Sequence, residues 1–321
     1  MGMEVSFKGY RTLNSSHIIC LQCANTCKIK DGKSGFCKII FNENQTLKNI
    51  NQDKVSALNI DPIEKKPLYH FLPSSKSLSI GTSGCNFRCP FCQNYEISQY
   101  PKSSHKEISK ESLLHITQNH GCKSISFTYN EPTIFYNYAK EYGVFLKEYG
   151  IKSVFVSNGY FSEESMNDAI EWLDAINIDL KSNDEGYYKK ILKGDLTTIK
   201  KNLKIAAKSG VWLEITTLMI PSITLKDIEE MSKFIANELG DRIPWHISRF
   251  YPNFKMDASL PTDPKILKDA IDIANKHGIK YVYDGNMGYN LPTCCPKCSN
   301  IAIERQNFKS NILFKDGGIF Q

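Results

Sequence analysis

The sequence predicts an α/β protein built on a partial barrel of six β/α units, with a small cysteine-rich module before it and a cysteine knuckle after it. Three observations carry this. From residue 77 onward, short runs of β-branched and aromatic residues alternate with amphipathic stretches of helical length, six or seven times in succession. Runs such as "SVFVS" do not alternate polar with apolar, which suits strands buried on both faces of a parallel sheet. No G-x-G-x-x-G opens a helix, so the dinucleotide-binding form of the rival doubly wound sheet lacks its signature.

Taken in order, "SLSIGT" (77–82) is the first strand and "KESLLHITQNH" the next helix. "SISFTY" (124–129) precedes "IFYNYAKEYGVFLKEY", and "KSVFVSN" precedes "SEESMNDAIEWL", where Ser162 and the acids behind it form a cap and first turn. Then come "DAINIDL" (174–180), "VWLEITTLMI" (211–220) before "LKDIEEMSKFIANEL", and "PWHISRFY" (244–251) before "PKILKDAIDIANKHG". "KYVYD" (280–284) closes the series. This sets boundaries at 1–76 for the cysteine-rich module and its Pro-punctuated link, 77–285 for the barrel, and 286–321 for the extension with C-x2-C.

The 321 residues suffice for such a domain with attachments and need no staples. No signal peptide and no apolar run of about 18 residues is present, which reads as a soluble, cytoplasmic chain. The net charge of +6 is spread thinly, and the lysines of "IKKNLKIAAK" fall at helical spacing as a solvated face, so charge names no nucleic-acid partner. Eleven cysteines in a chain of this kind point to metal or redox chemistry rather than disulfides. Cys122 stands apart, a small buried hydrophobe.

In barrels and doubly wound sheets alike, chemistry gathers at the carboxyl ends of the strands. That rule selects the loop "GTSGCNFRCPFCQNYEIS", then Asn130 and Glu131, Asn158 and Gly159, Asp179 and Lys181, Thr216 and Thr217, His246 and Arg249, and Asp284 to Asn286. His70, His105 and His120 have no such context. The loop holds Cys85, Cys89 and Cys92 as C-x3-C-x2-C, with no fourth cysteine or histidine close by. A structural zinc site wants four ligands. A four-iron cluster held by three thiolates keeps one iron open to a small molecule.

The spacing of "CNFRCPFC", with Phe91 before the last cysteine, resembles the motif of radical S-adenosylmethionine (SAM) enzymes. "DPIEKKPLYHFLPSSKSLSIGTSGCNFRCPFCQNYEIS", "TYNEPTIFY" and "PWHISRFYP" are similar to the radical enzyme of the AmmeMemoRadiSam system, a group related to the activating enzymes of pyruvate formate-lyase; the likeness runs from about Cys20 to Arg305. The resemblance implies a 4Fe-4S cluster on Cys85, Cys89 and Cys92. There one electron cleaves SAM to methionine and a 5'-deoxyadenosyl radical, which abstracts hydrogen from a substrate. It further implies that Asn130 and Glu131 face the cofactor's ammonium, Asn158 its ribose, and Asp179 and Lys181 its ribose or carboxylate. Independently of the resemblance, two polar side chains leaving one strand put His246 near cofactor or substrate and Arg249 near an anionic group. Val156 departs from those activating enzymes that carry an Asp linked to a monovalent cation there. An electron donor such as flavodoxin or ferredoxin, and AMMECR-type and Memo-type proteins, are the implied partners.

"CLQCANTCKIKDGKSGFC" gives C-x2-C-x3-C-x9-C over Cys20, Cys23, Cys27 and Cys37, and "CCPKC" adds Cys295 and Cys298. Such knuckles hold zinc or iron, because tight turns aim backbone N–H groups at thiolates. Spacing leaves two arrangements open: Cys20 and Cys23 joined to Cys295 and Cys298 in a zinc ribbon, or the four amino-terminal cysteines around an auxiliary cluster. Two other functions stand beside the radical enzyme. An activase for a glycyl radical protein usually has His-Asn-Pro after the last cysteine, where this chain has Gln93, Asn94, Tyr95 and Glu96. A non-enzymatic iron-sulfur or zinc scaffold explains the knuckles but not the polar residues at successive strand ends.

Overall fold

The alternation read from residue 77 onward folds into one eight-stranded sheet in a computed structural model that describes residues 7–100, 106–287, 291–306 and 308–313. His105 lies outside the described residues. The strands are β1 (Ala57–Pro62), β2 (Lys76–Gly81), β3 (Cys122–Phe127), β4 (Lys152–Ser157), β5 (Ala175–Asp179), β6 (Trp212–Met219), β7 (Trp245–Arg249) and β8 (Val282–Gly285). Each pairs with its neighbours in chain order; β2 to β8 run parallel and β1 is an antiparallel edge on β2. A doubly wound sheet reverses its strand order partway. This order never reverses, so the helices cover one face and the other encloses the lumen of a partial barrel.

The helices between the parallel strands are α1 (Lys110–Asn119), α2 (Tyr136–Lys147), α3 (Glu163–Trp172), α4 (Leu196–Lys208), α5 (Leu225–Phe234) and α6 (Pro264–Lys276), making six β/α units and a closing strand. Their starts are written locally. Ser109, Ser162, Asp195, Thr224 and Asp263 each accept a first-turn backbone N–H, and Thr224 completes a capping box with Asp227. Each such cap contributes about 1 kcal/mol. Trp172 of α3 is 1 % exposed among Phe127, Tyr136 and Phe155, a burial that stabilises by about 1.5–3 kcal/mol. That fit demands Gly143 on α2, because a Cβ there would sit 2.5 Å from the Trp172 ring. Cys122 is buried in the same core. On α4, Lys201 pairs with Glu163 and Lys204 with Glu238, all exposed.

Ala57–Pro62 lies inside the segment expected to be a separate module, yet it extends the barrel sheet. What precedes it is a three-stranded sheet (Tyr10–Asn14, His17–Cys20, Lys28–Lys30) and a hairpin (Ile40–Glu43, Thr46–Asn49). The link after β1 crosses the amino ends of the strands, where Ile63 and Leu68 pack with Val154 and Ala175. Here the carboxyl-terminal sheet (Thr293–Cys294, Ile301–Gln306, Lys309–Ile312) also docks. Arg305, 7 % exposed, donates to the Tyr69 carbonyl at 2.8 Å and the Thr293 hydroxyl at 2.7 Å. The barrel floor is thus closed, and its strand carboxyl ends stand opposite. Among the described residues no helix is long and apolar enough to cross a membrane.

Candidate active site at the carboxyl ends of the strands

The three-cysteine loop leaves β2 at Gly81 and is held by the loop that follows β3. Asn130 accepts from the Thr82 N–H at 3.0 Å and donates to the Thr82 hydroxyl and the Gly84 carbonyl, each at 3.0 Å. Both of its N–H groups are therefore spent on the loop rather than offered to a ligand. Asn94, past the last cysteine, donates to the Tyr129 carbonyl at 2.8 Å. Tyr129 itself is held at φ +69°, a conformation that costs a non-glycine residue free energy.

Glu131 is 2 % exposed and joins the β3 and β4 loops: it accepts from Thr133 N–H at 3.0 Å, the Ser157 hydroxyl at 2.8 Å and Asn158 N–H at 2.8 Å. Burial raises its pKa, and those donors work against the rise. The Thr133 hydroxyl adds a fourth donor, so the acceptor sites of Glu131 are taken up inside the protein. Asn158 donates to the Asn86 side chain at 2.7 Å, and Asn86 donates to the Thr133 hydroxyl at 3.2 Å. Asn86 sits between Cys85 and Cys89, which ties the cysteine loop to two strand ends at once. Reading the sequence does not single out Asn86, Thr133 or Ser157, because no local pattern pairs residues 26, 47 or 72 positions apart.

Asp179 and Lys181 form an ion pair of 2.7 Å beneath the loop, with the ammonium 5.9 Å from the Phe91 ring and in electrostatic reach of Cys89 and Cys92. Burial disfavours the Lys181 charge, but the Asp179 carboxylate at 2.7 Å more than offsets it and holds the ammonium protonated. Burial pushes the Cys85 thiol well above its ordinary range, with the Glu131 charge adding to it, and carries Cys89 up to about 12 despite Lys181. Cys92 is raised by the same cause.

Strand register places Asp179, Thr216, His246 and Tyr283 in one lateral row across β5 to β8. Thr216 Oγ1 is buried without a hydrogen-bond partner. His246, 1 % exposed, puts Nε2 2.6 Å from Glu214 Oε2 and stacks on Tyr283. Glu214 also accepts from Tyr69 N–H, His70 N–H and Trp212 Nε1–H, so all four acceptor sites are used. Burial opposes its charge, yet these donors keep its pKa below the ordinary value. A lone acid inside the apolar run "VWLEITTLMI" is the sequence signal that would have found it.

Arg249 and Thr217 are corrected by the same period of two. Arg249 falls on the face opposite His246, donating to the Thr262 carbonyl at 2.8 Å, and Thr217 turns to the helix side, where it donates to the Leu180 carbonyl and accepts from Trp245. Asp284 likewise faces α6, and burial pushes its carboxyl up to about 6. His70 is a floor residue, 2.6 Å from the Tyr283 hydroxyl; burial lowers its pKa to about 4. Cys20, Cys23, Cys27 and Cys37 share one neighbourhood behind the three-cysteine loop. Cys295 pairs with Cys298 near Tyr281, at the amino ends of the strands. A ribbon shared between the two termini is therefore not formed.

The family described as the Radical SAM superfamily matches residues 79–235. Uncharacterized protein MJ0808 of Methanocaldococcus jannaschii is 38% identical over 315 residues, 96% of this chain and 93% of that protein. The putative glycyl-radical enzyme activating enzyme MJ1632 of the same organism is 32% identical over 209 residues, 63% of this chain and 78% of that one. The chain belongs to the radical SAM superfamily. Its fold is similar to that of Streptococcus suis SuiB bound to precursor peptide SuiA, at TM-score 0.53 and 14% identity, over 70% of this chain and 51% of that one.

Radical SAM proteins carry a 4Fe-4S cluster and SAM, and the residues present suit both. Three thiols on one loop would suit the cluster's donors, with the Phe87 N–H 3.3 Å from Cys85 Sγ. The orphaned Thr216 hydroxyl and the Asp179–Lys181 pair offer a polar cofactor both donors and acceptors.

Proposed function

We propose that this radical SAM protein starts a hydrogen-abstraction reaction, with Cys85, Cys89 and Cys92 holding the cluster and Glu131, Asn158, Asp179, Lys181, Thr216 and His246 lining the cofactor and substrate space. The single observation that supports it best is the convergence of the three-cysteine loop, the Glu131–Asn158–Asn86 network and the Asp179–Lys181 pair at one end of the barrel. When bound, the cluster and SAM supply an electron and a carbon radical capable of taking hydrogen from the substrate. The chain's own residues do the rest. Lys181 keeps a fixed positive charge beside Cys89 and Phe91. Glu131 locks two loops in register, and Glu214 fixes the His246 ring in the lumen. The closed floor keeps bulk water from reaching the lumen from below. Partners of the AMMECR and Memo type follow from the likeness of "TYNEPTIFY" and "PWHISRFYP" to the AmmeMemoRadiSam radical enzyme. Flavodoxin or ferredoxin suits the role of electron donor.

Deuterium tracing tests the proposal. Reduced enzyme is incubated with SAM and a deuterated cell extract, and deuterium should enter 5'-deoxyadenosine in wild type but not in Cys89→Ala. Absence of the label from wild type while SAM is cleaved would remove hydrogen abstraction from the account.

A second reading, activation of a glycyl radical protein, is favoured by the 32% identity to MJ1632. Asn94, in the place of a motif usual in activases, is spent on the Tyr129 carbonyl. A glycyl radical signal on a partner protein after incubation with the reduced enzyme would establish this reading, and its absence across candidate partners would count against it.

A further inference from the structure

We propose that Cys20, Cys23, Cys27 and Cys37 bind a second thiophilic metal centre, a zinc ion or an iron-sulfur cluster, whose task is to brace the back of the three-cysteine loop. The metal site stands on the amino-terminal residues alone, and the bracing role rests on the radical SAM reading.

The ligand set comes from geometry. Cys20 N–H donates to the Cys27 carbonyl at 3.0 Å, Cys23 lies in the turn between them, Phe36 N–H beside Cys37 is 3.4 Å from Cys27 Sγ, and all four are free thiols. Every one of them has a backbone N–H aimed at its sulfur: Gln22 at Cys20, Asn25 at Cys23, Phe36 at Cys27 (3.4 Å), and Ile39 with Ile40 at Cys37. A buried, neutral thiol gains little from such donors, whereas a metal-bound thiolate needs them to offset its charge. Two tight turns produce the arrangement. Thr26 donates to the Cys23 carbonyl at 3.1 Å with φ +37°, and Lys38 donates to the Gly35 carbonyl at 3.0 Å with φ +66°. Two non-glycine residues in this backbone region are a cost that a metal would offset.

The bracing contacts come from residues beside these cysteines. Phe36, next to Cys37, accepts at its carbonyl from Arg88 Nη2 at 2.8 Å, and its ring lies 4.2 Å from the guanidinium. Arg88 sits between Cys85 and Cys89 and also holds the Cys85 carbonyl at 2.8 Å and the Phe87 carbonyl at 2.9 Å. Ile39, two past Cys37, packs so closely on Gly84 that a Cβ there would lie 2.4 Å from Ile39 Cγ1. Ala24, one past Cys23, donates to the Tyr160 carbonyl at 3.0 Å, and the Tyr160 ring is 5.3 Å from Phe87. A metal that fixes the knuckles fixes all three contacts together.

The test uses the full chain purified without oxygen as the Cys85→Ala, Cys89→Ala, Cys92→Ala variant, so that metal in the first loop does not confuse the count. We expect retained zinc or retained iron with sulfide, an X-ray absorption spectrum with sulfur as the protein donor, and loss of that metal on adding Cys20→Ser and Cys23→Ser but not Cys295→Ser and Cys298→Ser. The element found tells ion from cluster, and either supports the site. Metal-free protein, or metal that survives Cys20→Ser and Cys23→Ser, overturns it. Should the serine variants fail to fold, the absorption spectrum alone still decides, since nitrogen or oxygen donors contradict four thiolates. For the bracing role, Arg88→Gln with both cysteine sets intact should release iron from the first loop to a chelator several-fold faster than wild type. An unchanged rate removes the brace while leaving the metal site standing.

Discussion

Four donors converge on the buried Glu131 carboxylate, which makes its chemistry hard to replace. Glu131→Gln keeps the shape but turns an NH2 toward a backbone N–H, and one unsatisfied buried pair costs about 1–3 kcal/mol. Denaturant midpoints should fall accordingly, and an unchanged midpoint would mean the network is slack. Lys181→Met removes the positive charge beside Cys89, so the cluster's reduction potential should drop, with Lys181→Arg restoring part of it; potentiometric titration reads both. Asp284 gives a pH test. Its carboxyl, ordinarily near 3.8, is pushed up to about 6 by burial, so the folded chain holds this proton more tightly than the unfolded one. The contribution is present at low pH and is lost as pH rises through about 6. Asp284→Asn should stabilise the protein at pH 8 and by less at pH 5, measured by denaturation at both. At this scale the sequence is legible where ligands are neighbours in the chain, as in Cys85, Cys89 and Cys92. It is silent where partners are distant, as with Asn86 and Asn158 or Glu214 and His246.

The strands and helices are the most legible part, because a buried parallel strand is a solid apolar run and a helix start carries its cap. "SISFTY" became Cys122–Phe127 and the cap at Ser162 is formed. The strand Ala57–Pro62 was less legible, since partial polarity suits an edge strand and an independent module equally. The alternation within a strand corrected Arg249 and Thr217, whose neighbours His246 and Thr216 face the lumen. The loop between β2 and the last cysteine has its own structural requirement at Gly84, where φ is +86° and Ile39 leaves no space for a side chain. Gly84→Ala should lower the iron retained per chain after anaerobic reconstitution. Retention equal to wild type would show that the loop tolerates a shift of its backing.

For the molecule as a whole, a monotonic strand order builds a lumen closed at one end and chemically equipped at the other. The floor joins segments more than 200 residues apart, since Arg305 lies over the Tyr69 ring at 4.4 Å and bonds the Tyr69 carbonyl. No sequence pattern announces such a contact. Arg305→Ala should lower the melting temperature by several degrees, as loss of a buried, multiply bonded cation demands. The central claim concerns the open end, that the loop of Cys85, Cys89 and Cys92 holds a cluster with one iron available to SAM. Electron paramagnetic resonance of the reduced protein, recorded before and after adding SAM, tests it most directly. The account predicts a cluster signal that shifts with SAM in wild type and no SAM-responsive signal in Cys89→Ala. A signal that ignores SAM in wild type, or one that still responds in Cys89→Ala, would contradict it.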